Sequence, residues 1–344
     1  MGEKQVKIVL DLMGSDNFPI PELEGVRSAL KEEKDLFVYL VGKREIYEKY
    51  RDFFKNDQIE FVEAEEHITM NESPIAAIRK KKKSSIRIGL SLIKKGKAHG
   101  FVSAGNTGAI MALSKLLLGI VEGVDRPALA TAVPSIKGST IILDVGANVE
   151  CKPIHLEQFA IMGSIYSEII FGISNPRVGL LNIGEEEIKG NDLMKDVHKA
   201  LSVSSLNFVG NVEGKDVYTG DVDVVVCDGF TGNVALKISE GVISALMYLL
   251  KKEINSHFTT KIGALLIRKA FKNLKKDIDY SEYGGAPLLG IKYPVIICHG
   301  RSNDNAIKNG LKFCKLLYER EIPMKIENKI KEFMNKIESV KELS

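Results

Sequence analysis

The chain has 344 residues, of which 44% are hydrophobic and 27% are charged, and its formal net charge is +3. This apolar fraction can supply a sizeable core and argues against long disorder, and the nearly balanced charge argues against a dedicated nucleic-acid binder. No apolar run approaches the 18 or more residues of a membrane-spanning helix, and we expect no signal peptide at the N-terminus. Four scattered cysteines without CxxC spacing favour a reducing cytoplasm over disulfides or a structural zinc site.

Short apolar runs alternate with amphipathic stretches along the chain, a pattern typical of βαβ units. Many runs are rich in Val and Ile without clean alternation, as expected for strands that are buried on both faces. The sequence therefore predicts one doubly wound, three-layer α/β/α domain with a mostly parallel sheet over residues 1–330. Residues 240–282 are predicted to form a Lys-rich helical projection, and residues 331–344 the end of a C-terminal helix. The predicted strands are Val6–Leu10, Phe37–Val41, Ile59–Val62, Gly100–Ser103, Leu129–Val133, Thr140–Val145, Arg177–Ile183, Phe208–Val209, Asp223–Cys227 and Val295–Cys298.

Two predicted strands end in turns of the same G-x-T-G pattern. Gly100–Ser103 leads into AGNTG, and Asp223–Cys227 leads into DGFTGN. Ligands of open α/β sheets bind at the carboxyl ends of strands. Glycine lets backbone N–H groups converge, threonine adds a hydroxyl donor, and a helix N-terminus favours an anion. Tight turns between strand and helix use glycine for steric reasons as well, but the repeated pattern favours a binding site for a small anion.

Several familiar catalytic motifs are missing. The sequence has no GxxxxGK[ST], GxGxxG, GxSxG or HExxH, so nucleotide, serine-hydrolase and zinc-protease chemistry lack their usual signatures. Acyl transfer without a serine or cysteine nucleophile can proceed if phosphate itself attacks, and it then needs cations and N–H donors. Candidate cations are Lys152, Lys189, His155, His299 and Arg79–Lys83, although isolated basic groups of this kind are more often solvated or structural.

A series of motifs in order resembles the phosphate acyltransferases known as PlsX, and it covers roughly residues 6–306. The matching stretches include DLMGSD from Asp11, ESPIAAIRKKKKSS from Glu72, SAGNTGA from Ser103, DRPALA from Asp125, LDVGAN from Leu143, KGND from Lys189, DVVVCDGFTGNVALK from Asp223, YGGAPLLG from Tyr283 and HGRSNDNA from His299. The chain departs from the family pattern at three places. Ser15 replaces a second glycine, Ile154 stands where Glu is common, and Asn303 precedes Asp304 where the family usually has Ser-Asp.

The resemblance implies a fold related to isopropylmalate dehydrogenases and phosphotransacetylases, a homodimer, and no required metal, nucleotide or other cofactor. It implies that a long-chain fatty acyl group moves from acyl carrier protein to inorganic phosphate, giving acyl-phosphate for phospholipid synthesis. It also implies a cytoplasmic protein that associates peripherally with the inner face of the cell membrane. A membrane glycerol-3-phosphate acyltransferase would take the product, and no nucleic-acid partner is expected.

We predict that phosphate lies between the two G-x-T-G turns. The predicted catalytic residues are Lys189, as the cation for phosphate or the developing oxyanion, Asn233, and His299, as a proton-handling group. The predicted phosphate-binding residues are Ser103, Gly105, Asn106, Thr107, Gly108, Asn148, Lys152, Gly229, Thr231 and Gly232. Cys227 is interpreted as a core residue of its strand.

Two basic segments are candidates for partner surfaces. Acyl carrier protein is acidic, and Arg79, Lys80, Lys81 and Lys82 are predicted to dock it. A helix over 261–278 has an apolar stripe and a basic opposite face, with further apolar residues off the stripe. Such a helix can lie in a membrane interface or pack on the body or on a partner subunit, and the resemblance favours the membrane. The predicted membrane-facing residues are Ile262, Leu265, Leu266, Ile267 and Phe271.

Three other functions fit parts of the pattern. A phosphotransacetylase-like enzyme that uses a small acyl-CoA would share the fold and the phosphate turns. A metal-dependent decarboxylating dehydrogenase would need clustered metal carboxylates and a nicotinamide site, and the sequence shows neither convincingly. A non-enzymatic, phosphate-binding membrane scaffold would use the same turns and helix.

Overall fold

The structure, a computed structural model, describes residues 5–278 and 284–342 and is organised around one eleven-stranded sheet with helices on both faces. The strands are β1 (Val6–Asp11), β2 (Leu36–Gly42), β3 (Ile59–Glu63), β4 (Gly100–Ser103), β5 (Ala128–Ser135), β6 (Gly138–Leu143), β7 (Arg177–Leu181), β8 (Asn207–Val212), β9 (Val224–Val226), β10 (Ala286–Leu289) and β11 (Val295–Ile297). Their order across the sheet is β3-β2-β1-β4-β11-β10-β5-β6-β9-β7-β8. The prediction of one continuous α/β unit built on a mostly parallel sheet is confirmed.

The helices are α1 (Ile20–Glu32), α2 (Arg44–Lys49), α3 (Pro74–Lys80), α4 (Ser85–Lys94), α5 (Thr107–Leu118), α6 (Pro153–Phe171), α7 (Asp192–Ser202), α8 (Gly229–Ser256), α9 (Phe258–Leu266), α10 (Arg268–Ile278), α11 (Asp304–Glu319) and α12 (Ile322–Glu342). Short 3-10 turns lie at Arg51–Lys55 and Asp216–Tyr218. The boundary predicted at residue 330 therefore lies inside α12.

The sheet consists of two halves whose strands run in opposite directions. Strands β3, β2, β1, β4 and β11 are mutually parallel, and β6, β9, β7 and β8 are mutually parallel. Between the halves, β10 is antiparallel to both β11 and β5, and β5 is antiparallel to β6. The direction of β6 is therefore opposite to that of β4. As a consequence, the carboxyl ends of the two halves lie at opposite ends of the sheet.

Most predicted strands are present, with small differences at their ends. Their side chains are buried on both faces in β1 and β9, which explains why the sequence shows unbroken Val and Ile runs instead of alternation. The predicted strand Thr140–Val145 extends too far toward the C-terminus. Strand β6 ends at Leu143, and a loop follows. Strand β10, with the sequence APLL, was not predicted.

Four helices begin at an Asn or Asp that follows a strand and caps the helix. The side-chain oxygens of Asn106, Asn191, Asp228 and Asn303 accept N–H bonds from the first turns of α5, α7, α8 and α11. These caps satisfy backbone donors that a helix leaves unpaired at its N-terminus. They fix where each strand-to-helix turn ends.

Residues 240–278 of the predicted projection are helical, in α8, α9 and α10, but α8 begins earlier than residue 240 and the helices are divided differently; residues 279–282 lie outside the described part of the chain. Helix α8 starts at Gly229, and the predicted single helix over 261–278 is interrupted at Ile267, between α9 and α10. By length and composition α8 could cross a membrane, and none of its most apolar stretch is buried. Its first turn nevertheless packs against the end of β6, so α8 is anchored in the sheet by its start.

Gly232 should be essential for this anchoring. A Cβ atom at Gly232 would lie 1.9 Å from the backbone oxygen of Asp144, whereas nothing lies within 4 Å of a Cβ atom at Gly241 in the same helix. Gly232→Ala should lower the free energy of unfolding by about 3 kcal/mol through overpacking. Gly241→Ala should raise it by up to about 1 kcal/mol through helix propensity. Urea unfolding of both variants tests this, and a Gly232→Ala protein as stable as wild type would contradict the packing described.

Candidate functional site

The predicted site residues fall into two groups at opposite ends of the sheet. We define the β4 edge as residues 11–16, 66–85, 103–108 and 299–305, around the carboxyl ends of β1, β4 and β11. We define the β9 edge as residues 144–152, 182–191 and 228–233, around the carboxyl ends of β6, β7 and β9. The β4 edge contains Ser103, Gly105, Asn106, Thr107, Gly108, His299 and the basic residues Arg79, Lys80, Lys81 and Lys82. The β9 edge contains Asn148, Lys152, Lys189, Gly229, Thr231, Gly232 and Asn233.

The two G-x-T-G turns follow strands that are not neighbours in the sheet, and a phosphate shared between them stays a prediction. Strands β4 and β9 are five positions apart in the sheet order, which at 4.8 Å per strand is about 24 Å. They also run in opposite directions, so the turns leave the sheet at opposite ends. Lys189 and Asn233 therefore follow the second half of the sheet, and His299 follows the first.

At the β4 edge, two buried side chains connect the turns after β1 and β4. The Ser103 hydroxyl donates to Asp11 Oδ2 at 2.9 Å and accepts the Gly105 N–H at 3.0 Å, while Asp11 Oδ1 accepts the Met13 N–H. Burial raises the pKa of Asp11 above its ordinary value, against the opposing effect of these hydrogen bonds. A Cβ atom at Gly14 would lie 2.7 Å from the Gly105 nitrogen, so glycine is what allows the two turns to touch.

Asn106 holds a neighbouring segment instead of pointing its amide at open space. Its Oδ1 accepts the Ala109 N–H at 3.0 Å, and its Nδ2 donates to the backbone oxygens of Thr69, Met70 and Glu72 at 3.1 to 3.3 Å. These bonds occupy the amide. Within the same turn, the partly exposed Thr107 begins α5, and Gly108 packs on the ring of Pro74. The N–H groups of the first turn of α5 that Asn106 does not cap remain as donors.

Four buried hydroxyls at the β4 edge, and one carboxyl oxygen of α1 next to it, lack a hydrogen-bond partner among the described residues. They are Ser15 Oγ, Glu22 Oε2, Ser84 Oγ, Ser85 Oγ and Ser302 Oγ. Ser85 and Ser15 lie close enough to Asp11 and Glu22 to lower the pKa of those carboxyls, yet neither makes a well-formed hydrogen bond. Unsatisfied buried polar groups are costly in a folded protein unless another partner meets them. Their concentration here therefore indicates a place where a polar ligand completes the structure.

Positive charge surrounds the same edge. Arg79 and Lys80, in the last turn of α3, and Lys82, on the connection to α4, are exposed. Lys81 is less exposed, because its Nζ donates to Glu72 at 2.6 Å and to the His67 backbone oxygen, and this contact lowers the pKa of Glu72 to about 2. These basic groups raise the local positive potential, which favours an anionic ligand.

His299 lies on the exposed loop after β11. Its Nδ1 accepts the Arg301 N–H at 3.1 Å, which in the neutral ring leaves the proton on Nε2. Ser302 follows it, buried, immediately before α11 begins. The loop after β11 thus brings one imidazole and one hydroxyl to the edge that also carries the Ser103 turn.

The β9 edge is organised around the buried carboxylate of Asp144. Its two oxygens accept the backbone N–H groups of residues 129, 146, 147 and 148, together with the Asn148 amide at 2.9 Å. Asn148 also donates to the Pro127 oxygen, and Thr231 donates its hydroxyl to Asp228 at 2.7 Å. The polar side chains of this edge are therefore mostly engaged within the fold. Burial raises the pKa of Asp144.

Three other predicted residues lie at the rim of the β9 edge. Lys152 and Lys189 are exposed, and Asn233 lies against the backbone of Gly146, where a Cβ atom would be 3.6 Å from its amide. The buried His155 accepts the Lys152 N–H through Nδ1, and its Nε2 lies 4.0 Å from Asp125 Oδ2. Burial, reinforced by Arg126, lowers the pKa of His155, which favours a neutral and structural imidazole.

Cation binding finds little support in the residues that the structure describes. Over 5–278 and 284–342, no group of three or more His, Cys, Asp or Glu residues could hold a metal ion. Both edges instead offer backbone N–H groups at helix starts, which suit anions.

Sequence reasoning did not single out Ser84, Ser85, Ser302 and Glu22, whose polar atoms are buried without a partner. Ser84 and Ser85 ended a motif that was interpreted through its lysines, and Ser302 was discussed only as part of a departure from the family pattern. Glu22 gave no signal, because an acidic residue in the first turn of a helix is usually exposed and supports the helix dipole. Only the packing of α1 shows that it is fully buried.

The buried Glu22 should make stability depend on pH. Burial raises its pKa from 4.5 to about 7, so the unfolded chain loses the proton first as pH rises, and stability falls between these two values. Glu22→Gln should remove this loss. The free energy of unfolding of the variant minus that of wild type should therefore be up to about 3 kcal/mol larger at pH 8 than at pH 4. Denaturant unfolding at both pH values measures it. Glu24→Gln, exposed on the same helix, is the control, and an equal pH response in both variants would contradict the assignment.

Two solved structures share the fold. A phosphotransacetylase from Streptococcus pyogenes superposes with a TM-score of 0.57 at 16% identity, over 92% of this chain and 95% of that chain. The EutD phosphotransacetylase from Staphylococcus aureus gives 0.55 at 18% identity, over 91% and 95%. At these identities the similarity concerns the fold, and it confirms the predicted relation to phosphotransacetylases.

Sequence comparison covers nearly the whole chain. The profile of the family described as "Fatty acid synthesis protein" matches residues 6–325. A phosphate acyltransferase of Thermoanaerobacterium thermosaccharolyticum is 48% identical over 325 residues, which are 94% of this chain and 97% of that protein. One from Dictyoglomus turgidum is 49% identical over 336 residues, 96% and 98% of the two chains. The chain therefore belongs to the phosphate acyltransferase family, also known as PlsX.

Proposed function

We propose that this phosphate acyltransferase takes a long-chain fatty acyl group from acyl carrier protein, places it on inorganic phosphate, and uses the β4 edge as its active site. The observation that carries the choice of edge is the set of buried, unpartnered groups there, which includes the hydroxyls of Ser84, Ser85 and Ser302. The product, acyl-phosphate, would serve phospholipid synthesis through a membrane glycerol-3-phosphate acyltransferase.

Phosphate would lie where helix starts converge. The N-termini of α4, α5 and α11 all begin at the β4 edge, and α4 has no side-chain cap of its own. Their unpaired N–H groups, the hydroxyls of Ser85 and Thr107, and the nearby lysines would hold the phosphate oxygens. Ser103 and Gly105 would keep the turn in shape from beneath.

The chemical step is attack of one phosphate oxygen on the thioester carbonyl carbon. A C–O bond forms, the C–S bond breaks, and the carrier leaves as a thiolate that takes up one proton. That proton would come from the attacking hydrogen phosphate, and His299, whose Nδ1 accepts the Arg301 N–H, would donate a hydrogen bond from Nε2 to the oxyanion. The protein's main contribution would be to hold the two reactants in contact and to bind the developing charge.

The carrier protein would dock beside this site. Arg79, Lys80 and Lys82 are exposed within the connection that leads to Ser84 and Ser85, so an acidic carrier bound there would present its thioester to the β4 edge. Lys81 forms an ion pair with Glu72 and would therefore contribute less to carrier docking than its exposed basic neighbours.

The projecting helices would provide the membrane contact and part of the dimer interface. On α9 and the following break, Ile262, Leu265, Leu266 and Ile267 are 46 to 81% exposed, next to the Lys-rich α10. On α8, exposed apolar residues recur every three or four positions at Ile238, Val242, Leu246 and Leu249, a stripe that a second copy could cover. Sedimentation analysis would test the homodimer.

A phosphotransacetylase-like enzyme that uses acyl-CoA is the nearest alternative, since solved enzymes of that type share the fold. A phosphate-binding scaffold without turnover is the second. The exposed apolar projection favours the carrier-dependent enzyme over one that uses a small acyl-CoA, because the latter needs no membrane contact. Turnover distinguishes the enzyme from the scaffold.

Phosphorolysis tests the proposal directly. Purified protein with palmitoyl-acyl carrier protein should release the carrier thiol only when phosphate is present, and should do so faster than with palmitoyl-CoA. The KM for the carrier should rise with salt, because exposed charges are screened. Turnover restricted to CoA thioesters would establish the alternative enzyme, and phosphate binding without turnover would establish the scaffold.

Serine variants in the same assay locate the site. Ser85→Ala and Ser302→Ala should each raise the KM for phosphate about tenfold, the effect of one lost hydrogen bond to a charged group. Ser114→Ala and Ser167→Ala, which remove equally buried and unpartnered hydroxyls elsewhere, are matched controls. If Lys189→Ala and Asn233→Ala raise this KM while the two edge serines do not, the site belongs at the β9 edge.

The membrane contact has its own test. The double change Leu265→Glu and Leu266→Glu should reduce binding to anionic phospholipid vesicles by at least tenfold while leaving soluble phosphorolysis unchanged, because α9 lies outside the β4 edge. Val203→Glu, at a similarly exposed apolar position away from the projection, is the control. Vesicle sedimentation that shows unchanged binding would refute the assignment.

A further inference from the structure

Four exposed apolar side chains surround the β4 edge. Phe18 and Ile20 precede and begin α1, Met70 lies in the loop that Asn106 holds, and Ile75 lies in the first turn of α3; their exposed fractions are 38, 51, 44 and 67%. We call this set the apolar lip. Single exposed apolar residues are ordinary on a protein surface, but a group around one polar site needs a reason.

Contacts tie the lip to the turns of the site. The Met70 methyl packs on Gly300, where a Cβ atom would lie 2.8 Å from Met70 Cε. Phe18 packs edge-on against His67 with ring centroids 5.7 Å apart. Ile75 directly follows Pro74, whose ring packs on Gly108 in the turn after β4. Three of the four lip residues therefore contact the loops that would bind phosphate, directly or, for Ile75, through the neighbouring Pro74.

We propose that the apolar lip binds the first methylenes of the substrate's acyl chain and makes the enzyme prefer long chains. This inference rests on the proposed function, because it assumes that the reacting carbonyl lies at the β4 edge. A ligand with an anionic head and an alkyl tail matches the two parts of the surface, since backbone N–H groups and hydroxyls favour the head while the lip shields the tail from water. Each buried methylene strengthens binding roughly fourfold.

Alkylphosphonates test the inference without turnover. Their phosphonate group stands for the phosphate of acyl-phosphate, and their chain stands for the acyl chain. Decylphosphonate should bind wild type at least tenfold more tightly than methylphosphonate in calorimetric titrations below its micelle concentration, and inorganic phosphate should displace it. Displacement by phosphate separates binding at the β4 edge from insertion into the projecting helices.

The double variant Met70→Ser and Ile75→Ser should lose most of this preference, about tenfold, while methylphosphonate affinity is unchanged. The pair Ile136→Ser and Val203→Ser, 85 and 86% exposed on other surfaces, is the matched control and should keep the preference. An unchanged preference in the lip variant would overturn the proposal. Equal weakening of both phosphonates would also overturn it, since the lip would then only support the loops.

The phosphorolysis assay separates the two hypotheses. Wild type that releases carrier thiol but shows no chain-length preference in binding would contradict the lip and leave the reaction standing. A preference that the lip variant abolishes, in a protein that never turns over, would support the lip as an alkyl-binding surface and contradict the reaction.

Discussion

The reversal of strand direction at the centre of the sheet is the constraint on which the arrangement of this protein depends. Strands β5 and β6 pair from Ala130 opposite Leu143 to Ser135 opposite Gly138, so only Ile136 and Lys137 connect them. Such a short connection can join only antiparallel strands. From that hairpin onward the second half of the sheet runs the other way. Each half therefore presents its own carboxyl edge, with its own glycine turns and its own helix starts.

The two edges differ in how far the fold satisfies its own polar groups. At the β9 edge, the Asp144 carboxylate collects five hydrogen bonds, and Asn148 and Thr231 are both engaged. At the β4 edge, several buried hydroxyls and one carboxyl oxygen are unpaired. Since both edges use similar turns, the turns alone do not identify a site. The larger number of unpaired buried groups lies at the β4 edge, although Asn211 Oδ1, beside the β9 edge, is unpaired as well.

Much of the fold follows from local sequence pattern, and the location of the site does not. Buried Val and Ile runs identify strands such as β1 and β9, and strand-to-helix turns with Asn or Asp identify helix starts such as Asn106 and Asp228. Strand direction, however, is a property of pairing between distant segments. The four-residue β10 joins the first half of the sheet to β5 without a recognisable signal, and the pairing of β5 with β6 then reverses the direction. For this reason two turns of one pattern suggested one site, although the sheet places them at opposite ends.

Side-chain roles were hardest to predict where a polar residue serves the fold and the site at once. Asn106 matched a phosphate turn, yet its amide binds three backbone oxygens of residues 69–72. A local sequence pattern cannot predict these partners, because residues 69–72 lie more than thirty positions before Asn106 in the chain. The same is true of Glu22, whose burial depends on how α1 packs against α11.

The segment from residue 66 to residue 85 joins features that would otherwise be unrelated. It carries the apolar Met70 and Ile75, then the exposed basic residues, and finally the buried Ser84 and Ser85. One amide, that of Asn106, fixes the start of this segment to the turn after β4. Because Asn106 also caps α5, the position of the helix start and the position of the segment are set by the same residue. An alkyl surface, a basic surface and hydroxyl donors thus keep a constant distance from the anion-binding turn, which is what a substrate with an acyl chain, a carrier and a reacting carbonyl would require.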